Sequence, residues 1–311
     1  MAKVAADWRG RAAGLLVPGS FLSVPRSPKP ARSYRRARAA AAIVVALAVA
    51  GVALLLTSKR VPIAIEPTAC VVADGHQNLQ LSVSQAGIAA TIAGVAAHRD
   101  MPVRAVTIAY AAALQESKLA NLDYGDQDSV GVFQQRPSEG WGTPREIEDP
   151  VYATTRFFAA LAEVPNYQHL QVYQAAQDVQ RSADGFAYAQ YAQVGATMAK
   201  AFSGSAPRAL WCYYSSPTGK AQLTAAAKEL TITFGPLAIR RSGDPAVSVR
   251  VRQRREGWAV ASWLLSYASV YGISDVRYAG YDWFRGHSTG RWVREPAKAR
   301  TQAAPDVVVF G

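Results

Sequence analysis

The chain has 311 residues, enough for one or two domains beside a targeting segment. Its formal net charge is +12, but residues 1–60 hold eleven Lys and Arg against one Asp, residues 61–205 eight against fourteen acidic residues, and residues 206–311 fifteen against seven. Because the largest basic excess belongs to a tail, the charge does not indicate a nucleic-acid-binding domain, and we expect no nucleic-acid partner.

The first predicted elements are a basic tail and a membrane-spanning helix. Residues 1–38 combine Arg and Lys with Pro, Ser and Ala, which predicts a disordered cytoplasmic tail. Residues 39–57 are uncharged over nineteen positions, about the length that spans a bilayer core. Four arginines before this run, against Lys59 and Arg60 after it, predict a single-pass membrane protein with a cytoplasmic N-terminus and an extracytoplasmic catalytic region. A cleaved signal peptide or a buried core helix are the alternatives.

The two cysteines lie far apart in the sequence. Residues 58–75 predict a linker that contains Cys70, and the other cysteine is Cys212. An even count of two in an exported domain predicts one disulfide between them, with two free thiols as the alternative. Two distant cysteines and four scattered histidines do not build a zinc site, so we expect no metal and no cofactor.

Residues 76–204 predict a mainly helical domain, in which the carboxylate of Glu116 lies at the end of an apolar helical run. Residues 103–119 place apolar side chains at three- and four-residue spacings, which predicts a helix with a buried stripe that Asn121 and Gly125 stop. Glu116 then lies on the last turn close to apolar neighbours, a position that suits a general acid. The alternative is an ordinary surface glutamate at the end of a helix.

The residues after this helix resemble a known family. The dipeptide E-S at Glu116 and Ser117, followed by S-V-G-V-F-Q-Q-R-P over residues 129–137, resembles the signature of soluble lytic transglycosylases and goose-type lysozymes. That signature reads E-S and then S-x-x-G-x-x-G-L-M-Q-x-x-P. The resemblance implies a lysozyme-like fold, Glu116 as the catalytic acid/base and Gln134 in a glycan-binding cleft.

The resemblance also suggests which side chains contact the substrate. Residues 175–180 read A-A-Q-D-V-Q where the family usually has A-Y-N-A-G, so Gln177 would replace the family's asparagine. The predicted substrate-binding residues are Ser117, Ser129, Gln134, Gln135, Gln177 and Tyr188.

A hydrolytic lysozyme needs a second carboxylate, and Asp126 and Asp128 are the candidates. Aspartates beside glycines are usually turn residues. We therefore expect the route of lytic transglycosylases, in which Glu116 acts first as acid and then as base, and the sugar's own 6-hydroxyl closes a 1,6-anhydro ring.

Residues 205–311 predict a small, non-catalytic α+β domain, with strands at 247–251 and 306–310 and a helix over 258–271. Residues 236–311 resemble the C-terminal half of zinc D-alanyl-D-alanine carboxypeptidases, whose last strand reads H-x-D-H-V-H-V. Here residues 305–309 read P-D-V-V-V, without the histidines. The resemblance implies a peptidase-like fold without metal, kept as a wall-binding or packing domain. The basic excess of residues 206–311 predicts contact either with anionic wall polymers or with the acidic region 61–205.

The predicted fold class is thus a mainly α lysozyme-like domain behind a single transmembrane helix, plus a small α+β C-terminal domain. The predicted function is a membrane-anchored peptidoglycan lytic transglycosylase or muramidase-like glycosidase. Its expected partners are peptidoglycan glycan strands, anionic wall polymers and the membrane through residues 39–57. The alternative is a catalytically inactive wall-binding or scaffold protein with a lysozyme-like fold.

Overall fold

The computed structural model describes residues 68–73, 78–182, 184–214, 220–242, 245–295 and 304–311. The predicted tail and the apolar run at 39–57 lie outside these residues. The longest described helix, Val83–His98, has 16 residues, short of the roughly 20 that a membrane-spanning helix needs. No helix in the described ranges is long and apolar enough to cross a membrane. The described residues therefore give no support to the predicted single-pass membrane localisation or to the transmembrane helix of the predicted fold class.

Helices form most of the first two thirds of the described chain. The α-helices are α1 Val83–His98, α2 Val103–Glu116, α3 Pro144–Ile147, α4 Pro150–Ala162, α5 Val172–Gln180, α6 Ala192–Phe202, α7 Leu223–Phe234, α8 Arg254–Ser266 and α9 Ala268–Tyr271. Two 3-10 segments, Pro137–Glu139 and Gly185–Tyr191, lie between them.

The strands form two antiparallel sheets. They are β1 Thr68–Ala73, β2 Asn78–Leu81, β3 Leu210–Tyr214, β4 Ala238–Arg241, β5 Val247–Arg250, β6 Asp275–Tyr278, β7 Tyr281–Phe284, β8 Val293–Arg294 and β9 Val307–Phe310. The first sheet has the order β2-β1-β3 and the second the order β4-β5-β9-β6-β7-β8.

Helix α2 is buried around its whole circumference, because every residue from 105 to 113 is buried. It contacts α1, α4, α5, α6 and the 3-10 segment Gly185–Tyr191. Small residues allow these close approaches: a side chain at Gly195 of α6 would place its Cβ 3.1 Å from the carbonyl oxygen of Thr107. The buried Tyr110 hydroxyl donates to the carbonyl of Ala89 in α1 at 2.7 Å. The end of α2 is therefore held firmly in place.

Residues from 76–204 and from 205–311 belong to one apolar core. This finding corrects the predicted fold class of a mainly α domain plus a small α+β domain. Residues 86–96 of α1 are all buried, since α7 and α8 cover the face that α2 and α4 leave open. Thr91 and Tyr267 share a hydrogen bond of 2.8 Å across the α1–α8 contact. The Ala and Gly positions of α1 between residues 86 and 96 are buried together with its Ile and Val positions, so this stretch has no polar face.

The predicted disulfide is confirmed. Cys70 of β1 and Cys212 of β3 are directly opposite each other in the first sheet, and their sulfur atoms are bonded at 2.01 Å. Both residues are fully buried. The bond joins β1, which precedes helices α1 to α6, to β3, which follows them. It therefore holds the two ends of this helical region next to each other.

We expect this disulfide to stabilise the fold strongly, because it joins residues 142 positions apart. A loop of that length corresponds to roughly 5 kcal/mol in the chain-entropy model. The Cys70→Ala/Cys212→Ala double variant should lose several kcal/mol of unfolding free energy in a denaturant titration. Wild-type protein under reducing conditions serves as the control and should match the variant. A loss below about 1 kcal/mol would contradict the stabilising role.

Two neighbouring carboxyl groups, the half-buried Asp282 and the buried Glu295, lie at the β7–β8 edge of the second sheet. Oδ1 of Asp282 and Oε2 of Glu295 are buried and have no hydrogen-bond partner among the described residues. Burial, and after it the Glu295 carboxyl, raise the pKa of Asp282 to about 6, while Arg277 on β6 opposes them. The folded chain therefore holds this proton more tightly than the unfolded chain, where Asp titrates near pH 3.9.

The stabilisation from the Asp282 proton should be fully present below about pH 4 and lost as the pH rises through about 6. We expect Glu295→Gln to flatten the dependence of unfolding free energy on pH across that window, because it removes the neighbouring negative charge. Glu148→Gln is the matched control, since Glu148 is exposed. Equal pH dependence in all three proteins would rule out a contribution from the pair.

Candidate active site

The candidate acid, Glu116, is the last residue of α2 and is half-buried. Its Oε1 accepts a hydrogen bond of 2.5 Å from the hydroxyl of Tyr188, which is 1% exposed. Burial, and after it this hydrogen bond, raise the pKa of Tyr188 well above its usual range. The phenol therefore keeps its proton at neutral pH and acts as a fixed donor to the carboxyl group.

Ser117 ties the end of α2 to the segment Val132–Pro137, which we call the VFQQRP segment. Its buried hydroxyl lies 2.7 Å from the Val132 carbonyl oxygen and 3.1 Å from that of Ala113, and accepts from the Ala120 amide at 3.2 Å. The helix ends at Glu116, three residues earlier than predicted, because Lys118 and Leu119 adopt positive φ angles of 57° and 61°. The structure places Ser117 as a support beneath the site.

Gln134 holds the loop between α2 and the VFQQRP segment. Its Nε2 donates to the carbonyl oxygens of Tyr124 and Gly131, each at 3.2 Å. Its Oε1 accepts from the hydroxyl of Ser129 at 3.1 Å, and that hydroxyl also lies 2.8 Å from the carbonyl oxygen of Asp126. Ser129 is buried and holds the loop from inside. Gln134 holds the loop too, but its side chain is only half-buried.

The loop needs a glycine at position 125. A Cβ there would lie 1.9 Å from Oε1 of Gln134 and 2.3 Å from Oγ of Ser129. The neighbouring Tyr124 has 68% of its surface exposed, although its carbonyl is fixed by Gln134. An exposed aromatic ring on a fixed loop is suited to stacking on a sugar ring. Sequence reasoning missed Tyr124, and its position beside Gly125 was the available signal.

The two aspartates of the loop have different environments. Asp128 accepts from the Ser138 backbone amide at 2.8 Å and from Arg136 Nε at 3.0 Å. These two hydrogen bonds, in that order of size, lower the pKa of Asp128 to about 2. The Asp126 side chain is exposed. Asp128 is thus a charged residue that closes the loop.

The other two predicted amides, Gln135 and Gln177, form hydrogen bonds within the protein. Gln135 is 2% exposed and its Nε2 donates to the carbonyl of Ala153 in α4 at 3.2 Å, which places it in the core. Gln177 and Ser182 hydrogen-bond to each other through both Gln177 amide atoms. The structure therefore joins Tyr188 to Glu116 directly, places Gln134 in the loop that follows α2 and Gln135 in the core, and leaves Gln177 half-buried.

A cation lies next to the acid in the sequence. The Lys118 Nζ donates to the hydroxyl of Tyr191 and lies 4.7 Å from the centre of that ring. Tyr191 belongs to the same 3-10 segment as Tyr188, so this contact fixes the segment that carries the donor to Glu116. Elsewhere in the described residues, no three His, Cys, Asp or Glu side chains could hold a metal ion together.

We expect Ser117→Ala to destabilise the fold by about 1–3 kcal/mol, because it leaves the buried carbonyl of Val132 without this donor. Hydrogen exchange should also rise locally in residues 117–135. Ser205→Ala is the matched control, since Ser205 is exposed and remote from α2 in the sequence. Indistinguishable unfolding and exchange for the two variants would refute the supporting role of Ser117.

Comparison of the chain with protein-family models gave no match, and comparison with curated proteins gave none either. The case for a function therefore rests on the chain's own residues. Its main observation is a carboxyl group at the end of a buried helix, held by a buried phenol and joined to a glutamine-braced loop.

Proposed function

We propose that the protein cleaves the glycan strands of peptidoglycan, with Glu116 as general acid and then general base. The observation that carries this proposal is the hydrogen bond from the buried Tyr188 to Oε1 of Glu116. Glycoside cleavage needs a carboxyl group held at a fixed position against the glycosidic oxygen. Tyr188 supplies that fixation on one oxygen, and Ser117 fixes the helix end through the VFQQRP segment.

In the first step, protonated Glu116 gives its proton to the glycosidic oxygen while the bond from that oxygen to the anomeric carbon breaks. The leaving sugar departs as an alcohol, and positive charge develops on the ring that remains. The carboxylate formed on Glu116 is stabilised by the hydrogen bond from Tyr188, because such bonds strengthen when the acceptor becomes charged.

In the second step, the Glu116 carboxylate takes the proton of the sugar's 6-hydroxyl as that oxygen bonds to the anomeric carbon. The ring closes as a 1,6-anhydro sugar, Glu116 is protonated again, and no water is consumed. The environment of Asp128 supports this route. Arg136 and Ser138 hold its carboxylate in the loop, so it is not available as the second carboxylate of a hydrolytic mechanism.

We expect Glu116→Gln to lower the release of soluble muropeptides from purified peptidoglycan by about 100-fold or more, because the amide keeps the shape but cannot transfer the proton. Tyr188→Phe should lower the rate by roughly 10- to 100-fold, as a hydrogen bond to a charged group contributes about 1.5–3 kcal/mol. Tyr152→Phe is the matched control, since the Tyr152 hydroxyl bonds to the Trp141 carbonyl instead.

Two outcomes would count against the proposal. Substantial turnover by Glu116→Gln, in a protein with unchanged thermal unfolding, would remove Glu116 from its role. Wild-type protein that sediments with peptidoglycan but releases no fragments would indicate a wall-binding protein without turnover.

A further inference from the structure

A groove of about 620 Å³ lies among α4, α5 and the turn after the VFQQRP segment, and Glu116 is not among its lining residues. Its volume is within the range of sites that bind small ligands. The half-buried indole of Trp141 forms part of the wall. The site described above leaves this groove without a role.

The charged side chains that line the groove carry both signs. Arg156 and Arg181 supply two positive charges, and Glu163 and Asp178 supply two negative charges. All four are exposed and form no ion pair within the described residues, although Arg156 donates a hydrogen bond to the carbonyl of Gly140 at 3.2 Å. The fifth charged residue of the lining, Glu139, is already paired with Arg136 at 2.8 Å. A ligand that complements this wall carries both anionic and cationic groups.

The groove is joined to the candidate acid through the VFQQRP segment. Gln180 lines the groove, and its Nε2 donates to the Phe133 carbonyl at 2.7 Å. The carbonyl of the preceding residue, Val132, accepts from Ser117 at 2.7 Å, and Ser117 follows Glu116 directly. Neighbouring peptide groups of one segment therefore hold the groove wall and the end of α2.

We propose that this groove binds a short peptide that carries both carboxylate and ammonium groups, of the kind attached to the glycan strands of peptidoglycan. The identity of the ligand rests on the proposed function, whereas binding itself needs no cleavage. The arginines receive the peptide carboxylates, Glu163 and Asp178 receive the amine, and the Trp141 ring covers the aliphatic part.

The test is calorimetric titration of the full-length Glu116→Gln chain with the synthetic tripeptide alanyl-γ-glutamyl-lysine. We expect saturable binding that weakens as salt is added, because charge pairs at an exposed wall are screened. Adding Arg181→Gln should weaken binding about fivefold or more. Adding Arg145→Gln instead is the matched control, since Arg145 is exposed on α3 and does not line the groove.

The outcomes separate this inference from the proposed function. Absence of saturable binding at millimolar peptide, or equal affinity in the Arg181→Gln and Arg145→Gln proteins, would overturn the peptide site even if wild-type protein cleaves glycan. Binding that depends on Arg181 would support the site even if wild-type protein releases no fragments. Amidation of the peptide carboxylates should weaken binding by the same factor as Arg181→Gln. That result would confirm that the arginines receive the carboxylates.

Discussion

The complete burial of α2 is the constraint on which the rest of the structure depends. Its residues 105–113 have no exposed face, so other helices must surround it, and the helix can present charged groups only at its two ends. Glu116 lies on that turn. Ser117 then uses its buried hydroxyl to hold the VFQQRP segment against the helix end, and Gln134 in that segment folds the intervening loop back on itself. The buried helix thus holds one carboxyl group, that of Glu116, in a fixed position.

Comparison of three carboxyl groups shows how the environment of each determines its role. Asp128 has its charged form stabilised by a backbone amide and Arg136, so it serves the loop. Asp282 is half-buried beside Glu295, and partial burial and that carboxyl raise its pKa to about 6. Glu116 is half-buried, with a single fixed phenol donor at one oxygen. Glu116 combines partial access to solvent with a fixed orientation, which is the combination that proton transfer to a substrate requires.

Local features of this fold could be predicted from the sequence, but the long-range packing could not. The apolar spacing of residues 103–119 located α2 and its end to within three residues, and the cysteine count gave the Cys70–Cys212 pair. The fold class was wrong because alanine and glycine do not show which face of a helix is covered, so the burial of α1 by α7 and α8 left no signal. The pairing of β1 with β3 is equally non-local, since 142 residues separate the bonded cysteines.

The candidate site shows the same division. Glu116 and the loop after it could be found from residue types and spacing, but the work of each amide could not. Gln134 and Gln135 are adjacent and chemically identical, yet one is half-buried in the loop and the other lies in the core against α4. Tyr188 was predicted to contact the substrate, and the structure shows its hydroxyl donating a hydrogen bond to Glu116. Such partners depend on three-dimensional contacts across 72 residues of sequence.

The central claim is that Glu116 acts alone, first as acid and then as base. Mass spectrometry of the fragments that the full-length chain releases from purified peptidoglycan, in water labelled with heavy oxygen, tests it most directly. The account predicts 1,6-anhydro ends that are lighter than reducing ends by one water and that contain no label. Reducing ends that carry the labelled oxygen would contradict it, because they would show that water, activated by another group, completes the reaction.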